Sequence, residues 1–250
     1  MKKFLIAFLI ASLILSSSAV IVSAKTDKTP VISEKGIEKV VLVHYKAPGK
    51  PPWAGGLKDK PEGDDQGYKL FRGGVKWSDE ALGTAGISYA INENISSDFR
   101  EEIITAFNEW DLITGKEIFN DNVGTTSASG DNPDDGNVIS WTNLGDSNII
   151  AITTFWIWRG TKELAAFDIE FNNQLDWGIN PDPEDQNFIN EFDVRNIASH
   201  EVGHALVLED LYQSQYSEMT MYGYSTEGEV KKISLEAGDI AGAQALYGAP

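Results

Sequence analysis

The chain has 250 residues, 42% of them hydrophobic, enough for one well-buried core; this argues for one domain with a tail and against a collagen, a coiled coil or a wholly disordered chain. Its 38 acids against 20 bases give a net charge of −18, which argues against a nucleic-acid partner, because phosphate binding needs a basic face. The absence of cysteine removes disulfides, thiolate metal sites and cysteine nucleophiles, leaving carboxylates and three histidines, His44, His200 and His204, as ligands for a transition metal.

At the N-terminus, Lys2 and Lys3 precede an apolar run and then small residues ending Val22-Ser23-Ala24. Residues 1–24 therefore read as a secretory signal peptide, with Ala19 a second possible cleavage point. Left uncleaved, the same stretch is nearly long enough to anchor the chain in a bilayer; either way the remainder is expected to be exported. Residues 25–66 read as an N-terminal segment, a linker or a propeptide. Within it, residues 40–43 suggest one short strand before His44-Tyr45, and the Pro-, Gly- and charge-rich stretch from Ala47 to Asp65 has linker character. The folded domain is expected over residues 67–250. His44, alone in its short strand, reads as an ordinary structural or surface histidine.

Residues 68–77 and 86–91 are β-rich. A helix follows, with Asp98 and Glu101 spaced as a capping box and Phe99, Ile103, Phe107 and Trp110 at helical intervals. Residues 120–148, rich in Asp, Asn, Gly and Ser, read as a long loop around a short strand at 139–141. Residues 149–158 and 165–171 are the best strands of the second half. No internal repeat and no nucleotide-binding glycine loop is visible.

The chemistry concentrates in His200-Glu201-Val202-Gly203-His204, an H-E-x-x-H pattern. Histidines at i and i+4 of a helix share one face, so both imidazoles can reach one metal ion, with Glu201 beside them able to hold a water. Asp193 is a sensible N-cap and Val194, Ile197 and Ala198 an apolar stripe, which places the motif on a helix. A catalytic zinc keeps three protein ligands and one open position. With no third downstream histidine, Asp210 is best placed to complete the set if the helix ends near Leu208 and the chain turns back, and Glu209 competes with it.

These residues resemble the metzincin zinc motif H-E-x-x-H-x-x-G-x-x-H/D in its Asp form. Met219-Thr220-Met221-Tyr222-Gly223-Tyr224 is similar to the Met-turn of matrixins, with Met221 the expected turn methionine and Met219 the alternative. The tail from Ser234 to Gly248 resembles the last matrixin helix, and Asp168-Ile169-Glu170-Phe171-Asn172-Asn173 with Trp177 resembles a matrixin strand that reads D-x-H-F-D. The resemblance covers residues 68–248 and implies an α+β zincin-like (metzincin) fold, a twisted mixed five-stranded sheet with about three helices. It implies a secreted zinc endopeptidase acting on peptide or protein substrates, with zinc on His200, His204 and Asp210 and Glu201 as catalytic base. It also implies Met221 as an apolar floor beneath the zinc, Tyr222 or Tyr224 as a donor to the substrate oxygen, and residues 149–155 as the edge strand that pairs with an extended substrate. The competing expectations are a secreted binding or surface protein that keeps the fold without turnover, and a zincin whose last ligand is a glutamate such as Glu236.

Departures from the family pattern carry their own expectations. Val207 stands where the family has a glycine, at a position that favours positive φ, so the turn toward Asp210 is expected to differ. Glu170 replaces a histidine that binds a structural zinc in many matrixins, and no second zinc is expected. Asn172 and Asn173 stand where calcium-binding acids often lie. Calcium stays possible, but Asp131, Asp134, Asp135, Asp182, Glu184 and Asp185 miss the EF-hand spacing and read as a solvated acidic loop. Without cysteine there is no cysteine-switch propeptide, so latency imposed by residues 25–66 would need another zinc-blocking group.

Overall fold

The computed structural model describes residues 36–47, 67–180 and 190–250. The signal-peptide reading of residues 1–24 and the acids Asp182, Glu184 and Asp185 lie outside these described residues. Among the described residues, no helix is long and apolar enough to cross a membrane.

Among the described residues the main sheet has seven strands rather than the expected five, in the order β3 (Gly124–Thr126), β2 (Ala90–Asn92), β4 (Val138–Thr142), β6 (Leu164–Asn172), β5 (Ile149–Trp158), β1 (Ile37–Lys46), β9 (Tyr224–Ser225). It is mixed: β5 runs antiparallel to β6 and β1, and the other pairs are parallel. A two-stranded ribbon joins β7 (Trp177–Gly178) to β8 (Phe192–Asp193). Helices α2 (Ser97–Leu112), α3 (Val194–Ala205) and α4 (Ala237–Tyr247) are the three expected, and α1 (Asp79–Leu82) adds a single turn. This is the zincin-like α+β architecture.

Local chemistry explains the elements and two departures from expectation. The cap of α2 is Ser96, whose hydroxyl accepts from the Phe99 amide at 3.3 Å, two residues before the expected Asp98. A serine hydroxyl serves an orphan first-turn amide as well as a carboxylate does, so spacing alone did not discriminate. Residues 68–77 form no strand. They turn through a 3₁₀ segment at Phe71–Gly73, and their apolar side chains are used for packing: Trp77 is buried and its indole donates to the Ala205 carbonyl at 3.2 Å. The expected strands at 149–158 and 165–171 are β5 and β6, whose side chains are buried on both faces for most of their length, as covered central strands are.

Helices α2 and α3 pack on the sheet and on each other. Phe107 stacks on Tyr89 with ring centroids 4.1 Å apart and meets Phe119 and Phe167 edge-on or tilted, all fully or nearly fully buried. Each such ring buries some 150–250 Å², so this cluster carries much of the hydrophobic stabilisation. Between the helices, Trp110 donates its indole N–H to the Ser199 carbonyl at 2.9 Å and Arg195 pairs with Glu109. Every residue of α3 except Arg195 is buried, so this helix is held from all sides.

Candidate metal centre

Asp193 starts α3 as expected, its carboxylate accepting from the Asn196 amide at 2.7 Å. One turn apart on this helix, His200 and His204 are fully buried with ring centroids 4.6 Å apart. The Nδ1–H of His200 donates to the Thr220 carbonyl at 2.7 Å, and that of His204 to the Leu208 carbonyl at 2.8 Å. These bonds fix the tautomer and leave both Nε2 lone pairs facing one space, as a hydrogen bond to the far nitrogen of a metal-binding imidazole does.

Helix α3 ends at Ala205, earlier than expected, and the exit is a Schellman turn. The Val207 amide donates to the His204 carbonyl at 2.9 Å and the Leu208 amide to that of Gly203 at 3.0 Å. Val207 sits at φ 70°, in the left-handed region, so the turn is built as a glycine would build it. The expectation of a different turn is corrected: the side chain of Val207 is fully buried in the core, and its burial offsets the backbone strain. Replacing Val207 by Gly should relieve about 1–2 kcal/mol of strain. It also forfeits about 1.5–3 kcal/mol of burial, plus 0.5–1 for a freer unfolded chain, for a net loss of about 1 kcal/mol. A lower urea midpoint with unchanged slope is the expected result; a higher midpoint would show that strain dominates.

The turn brings Asp210 back over the helix. Its Oδ1 lies 3.2 Å from His200 Nε2 and 3.4 Å from His204 Nε2, while Oδ2 accepts from the Tyr212 hydroxyl at 2.9 Å. Glu209, the competing acid, is paired with Lys69 instead. Glu236 caps α4 in a reciprocal box with Asp239. His200 Nε2, His204 Nε2 and Asp210 Oδ1 are buried and have no hydrogen-bond donor or acceptor matched to them, and ligand atoms of the three lie within 4.8 Å of one another. Orphaned buried lone pairs that converge in this way are costly unless a cation takes them, and two imidazoles with one carboxylate suit zinc.

The electrostatics of the two imidazoles differ. Burial would lower His204, but the facing Asp210 and Glu201 carboxylates outweigh it and hold its ring above the ordinary value. Burial, reinforced by the Lys232 ammonium, pushes His200 down to about 3 and so keeps its ring neutral, as a ligand must be. Burial would raise Asp210, but the facing His204 and His200 rings outweigh it and hold the carboxyl well below the usual range. Glu201 is fully buried; burial raises its carboxyl to about 7, against the pull of His204 and of the Thr153 hydroxyl, which donates to Oε2 at 2.7 Å.

Beneath the pair lies Met221, 1% exposed, the expected floor; Met219 packs elsewhere, toward Gly67. A Cβ on Gly203 would come within 2.2 Å of Met221 Sδ and 3.0 Å of Trp110, so only glycine lets the methionine reach the helix. Gly203→Ala should cost about 1–3 kcal/mol by overpacking, less about 1 regained in helix propensity, and lower the melting temperature. An unchanged melting temperature would mean that Met221 moves freely.

Several contributors were not foreseen. Asp239 on α4 holds the Met-turn: its carboxylate accepts from the amides of Thr220 at 2.9 Å, Met221 at 3.1 Å and Glu236 at 3.0 Å. Lys232 is fully buried behind that turn, donating to the Thr220 and Tyr222 carbonyls, with its ammonium lowered by burial to about 8. Tyr222 and Tyr224 form an aromatic run with Tyr212, and it is Tyr212 that meets the site through Asp210. The reading of His44 as a histidine alone in its strand, structural or on the surface, is corrected in its placement: the residue is neither on the surface nor apart from the site. It is fully buried in β1, 157 residues from Glu201 in sequence, and its Nδ1–H donates to Glu201 Oε1 at 3.0 Å. Its ring stands 3.9 Å from that of His200, and ligand atoms of His44, His200 and Glu201 form a second group within 4.8 Å. The short apolar run at 40–43 carried no sign of this, because the partner is set by strand pairing.

Among the described residues no other His, Asp or Glu set converges in this way. Asp131 pairs with Lys39, and Asp135 accepts from the Asn132 amide side chain at 2.8 Å. Asn172, at a position where the family often has a calcium ligand, spends its side-chain amide on the carbonyls of Asp146 and Ile149, at 2.9 and 2.7 Å.

Fold and site together define a zincin of the metzincin type. Residues 141–248 match the family model described as Matrixin, a stretch that runs from within β4 through the histidine pair and the Met-turn to the end of α4. The matched stretch is similar to matrixins, a family of zinc metallopeptidases. A search of curated proteins returns no match. Strand β1 and His44 lie outside the matched stretch.

Proposed function

We propose that the chain is a secreted zinc endopeptidase that uses His200, His204 and Asp210 as metal ligands and Glu201 as general base. One observation carries this reading: the Nε2 atoms of both helix histidines and one Asp210 oxygen are buried, unmatched by hydrogen-bond partners and aimed at one another. Zinc bound there supplies Lewis acidity, which polarises a substrate carbonyl and lowers the pKa of water toward about 7. Glu201 receives the proton of the attacking water on its carboxylate and passes it to the leaving amine. Thr153 orients that carboxylate through Oε2, and Tyr212 steers Asp210 so that Oδ1 faces the imidazoles. Secretion rests on the lysine-then-apolar pattern of residues 1–24, and the substrate is an extended peptide paired with β5, a strand that β1 covers in this structure.

A quenched fluorescent peptide library tests this. Hydrolysis by the full chain or its secreted, processed form should vanish with a chelator and return with zinc alone. Hydrolysis that ignores the chelator, or zinc bound with no turnover by either form, would overturn the reading; the second outcome favours a binding protein on the same fold.

A further inference from the structure

The edge of β5 that an extended substrate would use is already taken. Residues of β1 pair antiparallel along it, from Val40 opposite Phe155 to Tyr45 opposite Ile149, and the ladder closes with the Lys46 amide donating to the Asn148 carbonyl at 2.9 Å. On its other side β1 runs parallel to β9, just past the Met-turn, with Tyr45 opposite Tyr224 and the Ala47 amide donating to the Ser225 carbonyl at 3.1 Å. The strand therefore fills a slot whose two walls offer backbone groups, which is how an extended peptide is bound.

Where β1 passes the metal centre, its register with β5 shifts between His44 and Tyr45. Such an irregularity re-aims a side chain, and here the one affected enters the centre. His44 Nδ1–H is given to Glu201, which leaves the Nε2 lone pair buried and without a hydrogen-bond partner, beside the ring of His200. This is the same arrangement found at His200 and His204: one nitrogen spent on a hydrogen bond, the other bare.

The geometry points to β1 as a built-in occupant of the substrate groove, with His44 as a third imidazole for the metal and a blocker of the Glu201 carboxylate, so that the full chain is latent until the strand leaves. This rests on the zinc peptidase reading above. Besides the ladder and His44, the strand is held by buried Ile37 and Tyr45, by Val40 and Leu42 packed against the core and by Arg159, which donates to the Ile37 carbonyl at 2.8 Å. Its ion pairs, Glu38 with Arg72, Lys39 with Asp131 and Lys46 with Glu227, join partly exposed side chains and add little, and Val41 is 46% exposed.

The chain has three histidines in all, which makes the ligand count clean. The full-length protein is loaded with cobalt(II), and the exchangeable ring N–H protons shifted by the paramagnetic metal are counted by proton NMR. Three are expected in the native chain and two in His44→Gln, which fills the same space and keeps a donor for Glu201. Alongside, His44→Gln and His44→Ala should hydrolyse a quenched peptide at least tenfold faster than the native chain, and a synthetic peptide of residues 36–47 should inhibit His44→Ala more than the same peptide with His44 replaced. Two shifted protons in the native chain, or equal rates in native and variant proteins, would overturn the inference while leaving the peptidase reading intact. Failure of the native chain to bind cobalt or zinc at all would instead sink the peptidase reading.

Discussion

Glu201→Gln should retain zinc at one ion per chain and lose peptide hydrolysis by a factor of about 10²–10⁴, the usual contribution of a positioned general base. Glutamine keeps the shape of the side chain and can still accept from the Thr153 hydroxyl, now 2.7 Å from Oε2, so the packing around this fully buried position survives. What it lacks is an oxygen able to take up a proton. The comparison belongs in the His44→Ala background, where loss of the imidazole beside Glu201 is expected to give the highest reference rate. Zinc content by plasma emission and turnover by a quenched peptide then separate the two roles. Turnover within a few-fold of the reference would assign the base elsewhere.

Asp210→Ala is the second large effect, and it falls on binding. Removing a partner that only supports a ligand typically costs about 10–100-fold in metal affinity, so removing a ligand outright should exceed that range. Tyr212→Phe supplies the internal comparison, because the phenol donates to Asp210 Oδ2 without facing the histidines, and its loss should stay near the lower end. Competition against a chromogenic chelator measures both. Unchanged zinc affinity in Asp210→Ala would return the role to Glu209, at the cost of breaking its pair with Lys69, or to another acid.

The site was legible where the signal is local. Histidines four apart behind an Asp cap must share a helix face, and a chain that turns within six residues can bring a carboxylate back over them; both follow from helix geometry alone. Strands β5 and β6 were legible for the same reason, as long apolar runs that only a covered sheet can bury. Harder to read were features decided by partners far away in sequence. The 40–43 strand was seen, but nothing in it says that it pairs with β5 and delivers His44 to Glu201, 157 residues distant. Lys232 looks like half of a solvated Lys-Lys pair, yet the carbonyls of the Met-turn make its burial tolerable. At Val207 the family pattern raised the right question, and the answer depended on how deeply the side chain is buried, which composition does not reveal.

Two imidazoles and the carboxylate of Asp210 are proposed to hold one zinc ion. Anomalous diffraction at the zinc absorption edge, from crystals of the zinc-loaded full chain, tests this most directly. A single peak bonded to His200 Nε2, His204 Nε2 and an Asp210 oxygen is expected; a peak that leaves Asp210 or either histidine uncoordinated, or no peak there at all, would refute this ligand set.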